Sequence, residues 1–204
     1  MRRNMLLLTL ALSLSPMLVS AAGTVRFGPV KASAVKLEST QILIKGTSSL
    51  HDWQVEGSTV NGSISADPAT WRIAGDGAAN LSASIPVSSI KSEHARMDRI
   101  MRDTLKSAKN PDITYQLTSA SRTSGSGDSF VVRTDGKLTI AGTTRDLVMD
   151  VTATHTNDKR YTMTGEVPIR MTDYGVKPPV AMLGTIRTGN DVKVSFRWVV
   201  ERIE

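Results

Sequence analysis

The chain contains no cysteine. That absence excludes structural disulfides, thiol nucleophiles, thiolate metal sites and anchoring through an acylated cysteine together, so the fold has to rest on its own core. Histidine is scarce as well, with only His51, His94 and His155 present. None sits in an HxH or HExxH arrangement, and adjacent side chains such as Glu93 and His94 diverge on a helix, so a metal centre would need separate elements to converge. His51 reads as a turn or core-edge residue and His155 as a residue near a strand end. Serines and acids are plentiful, but there is no GxSxG nucleophile elbow, no phosphate-loop lysine and no dinucleotide-binding context. Glu93, Asp98 and Asp103 could form a carboxylate cluster, yet their spacing is equally that of helix-surface pairs with Arg96, Arg99 and Arg102. The expectation is a protein with no catalytic machinery, metal or cofactor.

Long basic runs and aromatic-rich stretches are also missing. The net charge is +6, but the excess is scattered through residues such as Lys31, Lys36, Lys91, Arg96, Arg122, Arg160 and Arg187, with only three each of Trp, Tyr and Phe in the chain. This argues against a nucleic-acid partner and leaves room for weak attraction to an anionic membrane surface. The one apolar run of note lies in "MRRNMLLLTLALSLSPMLVSAAGTV", where Arg2 and Arg3 precede the apolar core Met5 to Leu14 and the small residues Ser20, Ala21 and Ala22 follow. That is the pattern of an export signal cleaved near Ala22, and its core is too short to favour a membrane span. The expected organisation is a leader over 1–22 and one domain over 23–204, in the periplasm or secreted. Losing two arginines and no acids would take the formal charge from +6 to +4.

What the chain has in abundance is period-two alternation. "LHDWQVEG" sets Trp53, Val55 and Gly57 against polar neighbours, and "LSASIPV" puts Leu81, Ala83, Ile85 and Val87 on one face. The pattern returns at Ile113, Tyr115 and Leu117, at Leu147, Met149, Val151, Ala153 and His155, and at Tyr161, Met163, Gly165, Val167, Ile169 and Met171. The last such run aligns Val192, Val194, Phe196, Trp198 and Val200. With "QILIKGT", "STVNGSIS" and "SFVVRTDGKLTIAG" there are roughly eight to ten strands, joined by turn-rich segments including 124–128 and 187–191. An antiparallel barrel and a sandwich share this alternation.

One segment breaks the pattern. In "SEHARMDRIMRDTLKSAKNP", Met97, Ile100, Met101, Thr104, Leu105 and Ala108 recur at spacings of three and four. This predicts an amphipathic helix of about four turns, with Ser92 as candidate N-cap, Lys106 and Lys109 near its C-terminal end, and Asn110-Pro111 stopping it. Methionine is frequent beyond the leader: Met97, Met101, Met149, Met163, Met171 and Met182. Such side chains suit either an irregular core or a pliable cavity wall.

Four segments, taken together, resemble the YceI-like family of exported proteins. They are "KGTSSLHDWQVEGSTVNGSI", with His51 and the return through Gly57 and Gly62; "ASIPVSSIKSEHARMDRIMRDTLKSAKNPDITYQLTS", with His94, Arg99, Leu105 and Pro111 in order; "GKLTIAGTTRDLVMDV"; and "VPIRMTDYGVKPP", a basic-aromatic-glycine turn. They cover most of residues 35–200. The resemblance implies an all-β fold: a single antiparallel lipocalin-like barrel of about eight strands, with the amphipathic helix inserted against it and an elongated apolar interior for polyisoprenoid or related lipids.

The expected function is then a noncatalytic exported binding or carrier protein for a polyisoprenoid, an isoprenoid quinone or a similar amphiphilic lipid. The expected lining is Trp53, Val55, Leu81, Ile85, Met97, Met101, Leu105, Tyr115, Met149, Met163, Phe196 and Trp198, with Arg102, Arg145 and Tyr174 as polar contacts. Either one chain or a homodimer could complete such a tunnel. The alternatives are a packed barrel serving as a structural or protein-interaction domain of the cell envelope, and an enzyme acting on a small exported substrate.

Overall fold

The computed structural model describes residues 25–29, 41–66, 81–157 and 159–203; the expected leader over 1–22 lies outside them. The alternating segments form strands because one apolar face can be turned inward while its polar partners remain in water. In chain order they are β1 (Val25–Pro29), β2 (Gln41–Ser48), β3 (Trp53–Gly57), β4 (Asn61–Ala66), β5 (Leu81–Pro86) and β6 (Ile90–Lys91). The helix α1 (Ala95–Thr104) follows, then β7 (Asp112–Ser126), β8 (Ser129–Ile140), β9 (Thr143–Asn157), β10 (Arg160–Arg170), β11 (Val180–Ala181) and β12 (Ile186–Arg202).

The strands close into a barrel, which resolves the choice between barrel and sandwich. Eight of them form an antiparallel ring in the order β1-β4-β5-β7-β8-β9-β10-β12, with β12 returning to β1. The long strand β12 is shared between two levels. Its C-terminal part, Val200 to Arg202, pairs with β1, while Thr188 to Arg197 pairs with β2, which carries β3 and then the short β6. One end of the barrel is therefore walled by β1 and β4, and the other by the leaf β2-β3-β6.

The connections divide in the same way. The β2–β3 turn, α1, the β8–β9 turn and residues 171–185 gather at one end, as antiparallel connectivity requires. A buried cluster including Phe27, Ile64, Leu117, Phe130, Ala153, Trp198 and Val200 fills the opposite part of the barrel. A smaller one, Ala141, Val167, Ile169, Tyr174 and Val176, lies toward the helix end, with Leu105 packed against it.

Two sequence expectations are corrected. Residues 187–191 are not a turn but part of β12, where a register shift between Thr188 and Val192 marks a bulge. The bulge receives a neighbouring loop: Thr172 donates its backbone N–H to Asn190 Oδ1 at 3.0 Å, and Asn190 Nδ2 donates to Thr172 Oγ1 at 2.9 Å. Turn-type residues there serve a tertiary contact, which local composition cannot distinguish from a reversal.

The helix is also shorter than its periodicity suggested, at 10 residues, or about three turns. His94 occupies the N-cap position without a side-chain cap bond. Ser92 instead works from two residues further out: its backbone N–H and its hydroxyl both donate to Asp98 Oδ1 at 2.7 Å, and its Oγ accepts the His94 N–H at 3.1 Å. At the other end Lys106 enters the left-handed region at φ 53°. Ser107 N–H then bonds the Arg102 carbonyl and Lys106 N–H the Asp103 carbonyl, a Schellman termination normally given to glycine. The chain reverses before Ala108 can join the helical face.

Candidate functional site

Between the two buried clusters the barrel is hollow. The cavity measures about 610 Å³, within the range of roughly 300–1,000 Å³ usual for small-molecule sites. Inward positions of eight strands supply its wall: Ile42 and Ile44 from β2, Trp53 and Val55 from β3, Ile64 from β4, Leu81, Ala83 and Ile85 from β5, Tyr115 and Leu117 from β7, Val132 and Leu138 from β8, Leu147, Met149 and Val151 from β9, Met163 and Val167 from β10. β12 adds Val192, Val194, Phe196 and Trp198. The roof is α1, whose Met97, Ile100, Met101 and Thr104, with Leu105 just beyond, face the cavity, and Tyr174 borders it from the following turn.

All thirteen of the expected apolar and tyrosine positions, from Trp53 to Trp198, are on this wall. The two arginines are not among its lining residues. Arg102 sits in the last turn of α1, about 100° around the helix axis from Met101, and Arg145 Nε donates to the Asp173 carbonyl at 2.8 Å at the surface. Tyr174 is buried, and desolvation first, then the Asp173 charge, push its phenol above the ordinary tyrosine value. It is a neutral wall residue with a polar tip. Methionines are frequent on this wall: Met97, Met101, Met149, Met163 and Met171 all line the cavity.

Three aromatic residues reach the wall by lying across glycines of neighbouring strands. A β-carbon on Gly46, Gly136 or Gly165 would collide with the rings of Trp53, Tyr115 and Phe196 respectively. Trp53 is further fixed by its indole N–H donating to the Thr47 carbonyl at 2.9 Å.

Few polar atoms interrupt the wall. Thr134 Oγ1 donates to the Met149 carbonyl at 3.1 Å. The Tyr115 hydroxyl is turned toward Thr134, which partly offsets the desolvation that raises its pKa, but no hydrogen bond of ordinary geometry joins them. Trp198 Nε1 is likewise buried without a hydrogen-bond acceptor. Both atoms belong to side chains on the cavity wall.

The cavity opens toward the helix end. Ser48, Leu50 and His51 from the β2–β3 turn, His94 and Arg96 from the start of α1, and Pro179, Ala181, Ile186 and Thr188 border it there. The expected lining did not include these rim residues, whose positions depend on turns lacking periodicity. His51 Nδ1 is within 2.7 Å of the Asp52 carbonyl. His155 lies instead near the far hairpin, stacked on Tyr161 at 4.8 Å and 3.5 Å from Asp128. Among the described residues no three His, Asp or Glu side chains gather in a metal-holding group.

The architecture is shared with solved structures of low sequence identity. A polyisoprenoid-binding domain from Saccharophagus degradans, described as implicated in plant cell wall breakdown, superposes with a TM-score of 0.65 at 14% identity, over 87% of this chain and 99% of that one. BcnA of Burkholderia cenocepacia gives 0.57 at 16% identity, over 78% and 95%. The YceI protein of Campylobacter jejuni gives 0.55 at 18% identity, over 74% and 85%. No curated protein sequence matches significantly. The model of the YceI-like domain matches residues 31–200, a span that holds every strand of the barrel except β1 and the last two residues of β12, and the chain therefore belongs to the YceI-like family.

Proposed function

We propose that this protein is an exported, noncatalytic carrier that holds an amphiphilic lipid with an isoprenoid-type tail inside its barrel. The observation that supports it is the continuous apolar cavity of about 610 Å³ running beneath α1. The polyisoprenoid-binding description of the S. degradans relative agrees with that chemistry. Moving a tail from water into such a wall yields about 0.8 kcal/mol per CH₂, or roughly 4 kcal/mol per five-carbon unit before ordering costs. A few such units suffice without a strong headgroup contact, which fits a wall that lacks Arg102 and Arg145. Methionine-rich walls adapt to branched tails. The Tyr115 hydroxyl and Trp198 N–H suit a ligand carrying an oxygen acceptor, such as a quinone carbonyl or an alcohol.

Solvent extraction and mass spectrometry of protein recovered from its native host test the proposal. A reproducible, near-stoichiometric prenyl lipid or isoprenoid quinone is the expected result. Protein that is recovered empty and also fails to take up prenyl lipids offered in detergent would overturn it.

A further inference from the structure

We propose that the rim around the cavity mouth is a membrane-docking surface that seats on anionic phospholipid headgroups and inserts Leu50, Val180 and Leu183 among them. These side chains are 67%, 52% and 108% exposed. They come from two neighbouring segments, the β2–β3 turn and the β11 region. The segments are tied together: Ser49 N–H donates to the Arg187 carbonyl at 2.9 Å, Ser49 Oγ to the Thr185 carbonyl at 3.1 Å, and Arg187 N–H to Ser49 Oγ at 3.0 Å. The apolar tips therefore stand on a braced frame.

Leu183 carries the argument furthest. It adopts φ 55°, ψ 30°, beside Gly184 at φ 99°. The left-handed region disfavours any residue with a β-carbon, and full exposure disfavours a large apolar side chain. Neither backbone geometry nor packing calls for leucine there, and such an outlier points to a role outside the folded chain.

Two features select a lipid surface as the occupant. The first is continuity: Leu50 is exposed and also lines the cavity, so the apolar surface runs from the rim inward past Ala181 and Ile186. A tail could pass from a bilayer to the interior without crossing water. The second is charge. At this end exposed Arg96, Arg99, Lys106, Lys109, Lys177 and Arg187 outnumber exposed Asp52, Glu93, Asp103 and Asp173, and such an excess of cations complements anionic headgroups. The purpose assigned to docking, lipid exchange, rests on the carrier reading, whereas docking itself does not.

Flotation with phosphatidylcholine vesicles, with and without phosphatidylglycerol, tests this directly. The protein should float with the anionic vesicles and less so as salt rises. Val180→Thr with Leu183→Asn keeps a β-branched strand residue and a residue tolerant of left-handed backbone, so the fold should persist. This variant should bind the anionic vesicles roughly tenfold more weakly, while taking up a prenyl alcohol from detergent micelles as the parent does. A parent that does not float, or a variant that floats equally well, would overturn the proposal. So would sedimentation showing a parent dimer split by the variant with no vesicle binding, because the patch would then be an interface between copies. Flotation lost in the variant with no prenyl uptake by either protein would support docking while removing the carrier reading.

Discussion

At the scale of single residues, the cavity owes its shape to where side chains are missing as much as to where they are large. Gly46 faces Trp53 across the β2–β3 pair, and a methyl group at Gly46 would occupy space now filled by the indole. Gly46→Ala should therefore cost about 1–3 kcal/mol, the usual penalty for overpacking. Chemical denaturation measures that loss, and tryptophan emission should shift as the ring leaves its bond to the Thr47 carbonyl. Trp53 was legible in the sequence as an inward residue from period two alone. Its glycine partner was not, because register between strands is a long-range property.

At the scale of elements, α1 depends on a contact that helix-capping patterns do not anticipate. Asp98, buried in the first turn, accepts the backbone N–H and hydroxyl of Ser92, and these two bonds, in that order, hold its carboxyl below the ordinary value of 3.8. A carboxylate with a depressed folded pKa contributes stability that is full above the unfolded value of 3.8 and is lost as pH falls through the lower folded value. Asp98→Asn, which keeps the shape and removes the charge, should lower the melting temperature at neutral pH. The gap from the parent should close in acid below that folded value, as thermal scans across the range will show. The amphipathic face, Met97 with Ile100, Met101 and Leu105, could be read from spacing, but the reversal at Lys106 could not. Lysine has no intrinsic preference for left-handed backbone, and the turn is imposed by packing against the Tyr174 and Val176 region, where Lys106 Nζ comes within 3.5 Å of the Gly175 carbonyl.

At the scale of the whole molecule, a hollow core forgoes packing contacts that a solid barrel would make, so an occupant that fits should stabilise the fold by simple linkage. A prenyl alcohol at a hundred times its dissociation constant should add about 2.7 kcal/mol, visible as a rise in melting temperature that scales with ligand concentration. A barrel that gains nothing from any prenyl lipid would speak against occupancy. The same hollow explains why bulky apolar residues and methionines line a wall whose opposite end is closed by Phe27, Phe130 and Val200.

By itself, the sequence determined which residues point inward. Period two on the strands and spacings of three and four on α1 are consequences of backbone geometry, so twelve of the thirteen wall positions could be read without any tertiary knowledge, whereas Tyr174 lies in the turn after β10 and followed from the family resemblance. Tertiary structure decided the rest. Whether those inward faces meet as a solid core or enclose space depends on strand number and shear around the ring, which no local pattern encodes. Arg102 and Arg145, expected as polar contacts, are off the wall for the same reason: their places are set by the packed orientation of α1 and by the Asp173 carbonyl, which local pattern does not encode. The bulge at 188–192 and the rim leucines became meaningful only once β12 had brought two distant turns side by side.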